Sequence, residues 1–147
     1  MSTRSFEVST YIENTPEMVL TYIANVRNRP LYLPSLKSVT DVKENPEGTG
    51  TTWKWTWVSL GMEFEGTGRC LKYEPGKRYS FKTEGGLAST WTYTAQPEGK
   101  GTKLAIHLEY DVPEKARPRL PAEKTGEAMR NAEANQVLQN LKVILDR

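Results

Sequence analysis

Between residues 5 and 12 the chain alternates, with Phe6, Val8, Thr10 and Ile12 on one side and Glu7, Ser9 and Tyr11 on the other. A period of two predicts a strand. The alternation stops at Asn14-Thr15-Pro16-Glu17, where Thr15 suits a helix cap and Pro16 a first helical turn. Met18, Val19, Tyr22, Ile23 and Val26 then recur at the three-and-four spacing of an apolar helical face. Pro30 and Pro34 break the segment from Asn28 to Leu36, so two short helices are predicted, the second irregular. From Ser38 to Val112 turn residues recur at 45–48, 60–61, 74–77, 84–86 and 97–101, which divides the stretch into about six strands. Connections this short join antiparallel neighbours. A proline-rich link, Val112 to Pro121, leads into one long helix over 122–146. The expected class is α+β: a curved antiparallel sheet of about seven strands, two short helices after the first strand, and a long C-terminal helix.

Composition narrows what such a fold could do. At 147 residues one domain, 1–147, is expected. The 37% hydrophobic and 26% charged residues are those of a soluble globular protein, and no apolar run approaches the ~20 residues of a membrane span. The start, MSTRSFEVST, lacks the apolar centre of a signal peptide, so a cytoplasmic location is expected. A net charge of +2 from interspersed charges disfavours a nucleic-acid partner. One histidine, His107, and one cysteine, Cys70, cannot supply the usual zinc or two-histidine iron ligand sets. No metal or other cofactor is expected.

Two stretches carry a resemblance to a known family. The run Tyr22-Ile23-Ala24-Asn25-Val26-Arg27-Asn28-Arg29-Pro30-Leu31-Tyr32-Leu33-Pro34-Ser35-Leu36 resembles the segment that joins the first helices to the second strand in the START-like SRPBCC superfamily. Trp91-Thr92-Tyr93, followed by Gly101-Thr102-Lys103-Leu104 and Tyr110, is similar to its last two strands. Within the superfamily the resemblance is to the polyketide cyclase/dehydrase and lipid-transport group, with Tyr32 where many members carry a tryptophan. It implies a helix-grip fold, in which the sheet wraps the long helix and encloses a cavity. Because members include carriers, cyclases and hydroxylase domains, the fold does not decide function.

The aromatic residues suit such a cavity. Trp53, Trp55 and Trp57 share one face of a strand, and Phe64, Phe81, Trp91 and Tyr93 lie on neighbouring strands. Each is equally suited to ordinary core, but so many together fit a lining for a planar or multi-ring molecule. On the long helix, Ala134, Val137, Leu138, Leu141, Ile144 and Leu145 form an apolar stripe, which continues toward the N-terminus through Asn131, Arg130, Glu127 and Glu123. Those polar residues are either a solvated projection or a polar pocket mouth in which Arg130 and Glu127 orient the ligand. Of the remaining candidates, His107 reads as exposed, Glu63, Glu65 and Arg69 as a solvated face, and Cys70 as a small buried residue. Gly66 and Gly68 read as sites of a bulge or sharp curvature. Gly48-Thr49-Gly50 reads as a turn, not a phosphate loop, since a strand comes after it.

The first functional expectation is binding of a small hydrophobic, aromatic or lipid-like molecule, with Trp53, Trp55, Trp57, Phe64, Phe81, Trp91, Tyr93, Tyr110, Glu127, Arg130 and Asn131 as ligand-binding candidates. The alternative is a metal-free cyclase or dehydrase using Tyr93, Tyr110 and Arg130 on an enolate or carbonyl. The third is an interaction module whose outer sheet face or edge strand forms a homodimer.

Overall fold

The computed structural model describes residues 3–45, 48–59, 61–86, 88–111 and 123–147, the side chains of residues 3, 59 and 123–131 apart. The expected proline-rich link falls outside those residues. The first strand, β1 (Thr3–Ile12), ends where the Thr15 hydroxyl accepts the Met18 N–H at 3.2 Å and starts α1 (Pro16–Ala24). Val19, Leu20 and Ile23 are its buried face; Met18, expected there, is 52% exposed, because Leu20 takes the inward position. A 3-10 turn, Val26–Leu31, supplies the irregular second helix, and its Asn25 side chain accepts the Arg27 N–H.

Six strands come next: β2 (Leu36–Lys43), β3 (Thr52–Ser59), β4 (Met62–Glu74), β5 (Arg78–Gly85), β6 (Ser89–Glu98) and β7 (Gly101–Asp111). All pair antiparallel in the order β1-β7-β6-β5-β4-β3-β2. Six strands are therefore a meander of chain neighbours, and β1 closes onto β7, from Thr3 opposite Asp111 to Ile12 opposite Thr102. Register shifts at Thr40/Lys43 and Cys70/Lys72 bend the strands, the first with Asp41 in the left-handed region at φ 52°.

The last helix, α2 (Glu123–Leu145), lays Ala134, Val137, Leu138, Leu141 and Leu145 into the core with the inner face of the sheet. Ile144, expected in that stripe, is 41% exposed, because it sits at the stripe's margin on the opposite side from Leu145. The helix end is tied to the far end of the chain. Asn14 Nδ2 donates to the Leu145 carbonyl at 2.9 Å, one of the carbonyls a helix leaves without an internal partner. Thr102 Oγ1, fully buried, donates in turn to the Asn14 carbonyl at 2.7 Å. The result is a helix-grip fold, and no helix among the described residues is long and apolar enough to cross a membrane.

Candidate functional site

The aromatic wall is set by strand register. Trp53 pairs with Gly68, Trp55 with Gly66 and Trp57 with Phe64 across β3 and β4. A Cβ on Gly68 would fall inside the Trp53 indole, and one on Gly66 would meet the Glu84 carbonyl oxygen first and lie 2.5 Å from Trp55 Cζ2. Both glycines give clearance to an indole, Gly66 to the β5 backbone as well, and neither is a bulge as one reading of them expected; the register shift between β4 and β5 falls at Cys70/Lys72 instead. Trp55 Nε1 then donates to the Thr67 carbonyl at 2.8 Å, so the indole is fixed at both its ring and its polar atom. On β5 and β6, Phe81 stacks on Trp91 at 5.9 Å and Trp91 on Tyr93 at 6.3 Å between ring centroids. Trp53 meets Phe81 edge-on at 5.5 Å.

The inner face forms rows across β5, β6 and β7, spaced by two residues along the strands. Tyr79, Tyr93 and Ile106 make the first and are all buried. Phe81, Trp91 and Leu108 make the second, and Thr83, Ser89 and Tyr110, which are half-exposed, the third. Exposure rises from row to row, so the site is closed at the tyrosine row and opens at the serine row. There Thr83 Oγ1 and Ser89 Oγ are 2.6 Å apart, and Trp91 Nε1 donates to Ser89 Oγ.

A cation sits at the closed end. Arg29, on the 3-10 turn, is 2% exposed, and its guanidinium carbon lies 4.2 Å from the Phe81 ring centroid and 4.8 Å from that of Trp53. Nη2 donates to Tyr79 Oη at 2.7 Å and to the Ile23 carbonyl at 3.4 Å. Tyr32 Oη donates to the same carbonyl, so Arg29 and Tyr32 together serve the C-terminal turn of α1. Arg29 Nε and Nη1 and the Tyr93 hydroxyl are buried with no hydrogen-bond partner among the described residues. Burial pushes the Tyr32 phenol up to about 12 and raises those of Tyr79 and Tyr93, against the opposing pull of Arg29. All three are neutral phenols near pH 7.

Between sheet and helix these rows enclose a cavity of about 130 Å³. Of the residues singled out from the sequence, the structure puts Trp53, Trp55, Trp57, Phe64, Phe81, Trp91 and Tyr110 on its wall. Tyr93 is not among its lining residues; it lies in the buried row behind. The side chains of Glu127, Arg130 and Asn131 lie outside the described residues. Arg29, Asp111 and Glu133 are polar lining residues that sequence reasoning passed over. Glu133 Oε1 accepts from Ser35 Oγ at 2.8 Å, joining α2 to the start of β2. His107 points to the outer face beside Glu109, at 3.4 Å, and its side chain is 40% exposed. Cys70 is buried. Among the described residues no three His, Cys, Asp or Glu side chains gather as a metal site would require.

A family model described as polyketide cyclase / dehydrase and lipid transport matches residues 3–145. A search of curated protein sequences finds no match. Among solved structures, a START superfamily protein from Mycobacterium smegmatis is similar with a TM-score of 0.78 at 10% identity, covering 96% of each chain. A protein from Thermus thermophilus matches with a TM-score of 0.77 at 20% identity over 95% of this chain and 94% of its own. The Zhui aromatase/cyclase from a Streptomyces species matches with a TM-score of 0.75 at 12% identity over 98% and 94%. At such identities the likeness is one of fold.

Proposed function

Because the chain belongs to the polyketide cyclase / dehydrase and lipid transport family, we propose that it binds a small hydrophobic molecule with an aromatic ring in the cavity between sheet and α2. The observation that carries this is the wall itself: four indoles, three phenyl rings and a tyrosine around one cavity. Large aromatic side chains normally fill the space between them; here two glycines hold the β3 indoles back against the sheet and an opening remains. Its volume is near that of an engineered apolar cavity of ~150 Å³ that admits benzene, so one ring fits and a longer substituent would leave by the serine row.

Native mass spectrometry of gently purified protein, followed by thermal-shift titration with single-ring and two-ring hydrophobic compounds, tests the reading. Retained or added ligand with a raised melting temperature is expected. A clean apo mass with no shift across the set would overturn it. Glu127, Arg130 and Asn131 are proposed as the polar mouth, and Arg130→Ala is expected to weaken binding while leaving the fold intact; unchanged affinity would remove Arg130 from the site. Turnover is the second reading. Tyr110 is the cavity-lining phenol that would serve it, and a Tyr110→Phe variant that binds normally yet loses product formation from a polyketone-like substrate would move the assignment to a cyclase.

A further inference from the structure

A buried guanidinium is ordinarily met by a carboxylate, since a cation taken out of water is costly to leave uncompensated. Arg29 is not met by one. Among the described residues no acidic side chain lies within ion-pair distance of it, and its near neighbours are Tyr32, Tyr79, Trp53 and Phe81, none of which carries a charge near pH 7. The service Arg29 gives to the end of α1 uses only Nη2. Of the five N–H bonds of a guanidinium, the one on Nε and the two on Nη1 find no partner among the described residues. The neighbours explain why: Trp53 and Phe81, whose ring centroids lie 4.8 and 4.2 Å from the guanidinium carbon, carry no hydrogen-bond acceptor. Arg29 is at the same time a lining residue of the cavity, at its closed end.

We propose that the ligand is an organic acid: an apolar ring bearing an anionic oxygen, which Arg29 receives at the closed end of the cavity while the ring lies against Trp53, Phe81 and Trp91. The assignment rests on the cavity being a ligand site at all. An anion entering there supplies the counter-charge the protein withholds, and charge-assisted hydrogen bonds in a water-poor site are the strong kind. A neutral molecule of the same shape gains only the contact with the rings.

Two probes separate the possibilities, 4-propylbenzoate and its neutral counterpart 4-propylbenzamide, titrated by calorimetry and by amide chemical shifts at pH 7. The wild-type protein is expected to bind the benzoate about 10-fold or more tightly than the benzamide. Arg29→Met is expected to remove that preference while still binding the benzamide, and Arg29→Lys, which keeps the charge should the Met variant not fold, to retain part of it. Equal affinity of the wild-type protein for both probes would overturn the assignment and leave the cavity reading standing. So would a benzoate preference that survives in Arg29→Met, since the anion would then be held elsewhere. Failure of both probes to bind would remove the cavity reading, and this assignment with it.

Discussion

Gly68 has no side chain because Trp53 occupies the place where one would be: a Cβ there would lie well inside the 3.0 Å limit from three atoms of the indole. The conflict is steric, since β4 runs through this residue as an ordinary paired strand. Gly68→Ala is therefore expected to lower stability by ~1–3 kcal/mol, the usual cost of overpacking a core. The urea midpoint reads it. Combining the change with Trp53→Leu is expected to recover part of the loss, and a Gly68→Ala protein as stable as wild type would show that Trp53 does not rest there.

Thr102→Val tests the joint between the sheet and α2. The hydroxyl is fully buried and donates to the Asn14 carbonyl, which valine would leave unserved. A loss of ~1–3 kcal/mol is expected. Thermal unfolding of Thr102→Ser, which keeps the donor, is expected to stay closer to wild type than that of Thr102→Val; the reverse order would dismiss the hydrogen bond as a contributor.

The Cys70 thiol is pushed up by burial, with smaller opposing pulls from the Lys72 and Gly50 backbone and from Arg29. It is 1% exposed. Reaction with a disulfide reagent at pH 8 is expected to be at least about 100-fold slower in the folded protein than in urea, because the residue must first be uncovered. Comparable rates in the two conditions would place the thiol at the surface.

Asp146 accepts the Glu13 N–H at 2.8 Å and lies 3.1 Å from Lys142 Nζ, and these partners hold its carboxyl below the usual aspartate range. A lowered folded value means that its contribution is complete above the unfolded pKa and is lost as pH falls through the folded one. Asp146→Asn is expected to flatten the decline of stability between about pH 5 and 2, while the wild type and variant converge at the acid end. Parallel stability curves over that range would rule the linkage out.

Alternation and turn residues are enough to read the strands, because a period of two survives wherever one face is buried and the other wet. The inward direction of Trp53, Trp55 and Trp57 follows from the same alternation, while α2 is read from its length, its composition and the helical spacing of Val137, Leu138 and Leu141. What Gly66 and Gly68 make room for is hidden in the sequence because it lies across the sheet: only the register that sets them opposite Trp55 and Trp53, with Gly66 also close to the Glu84 backbone, reveals it. Arg29 is passed over for a related reason. It sits in a short segment broken by Pro30, where no period marks a face, and one arginine among many charged residues looks like surface. What makes it a site residue is the company of Tyr79 and Phe81, about fifty positions away in sequence.

Six strands pair with the neighbour next along the chain, but β1 must find β7 and the Asn14 side chain must find Leu145, 131 positions away. Long closures are entropically costly before their contacts repay them, so they come late in folding. Pulse-labelled hydrogen exchange is expected to protect the amides of β4 to β6 before those of β1, and simultaneous protection would count against that order. Phe6 on β1 and Ala134 and Val137 on α2 all face the cavity, so its walls are complete only once both ends of the chain have docked. A bound molecule therefore acts chiefly as a brake on the first step of unfolding, and contributes little to the speed with which the sheet forms.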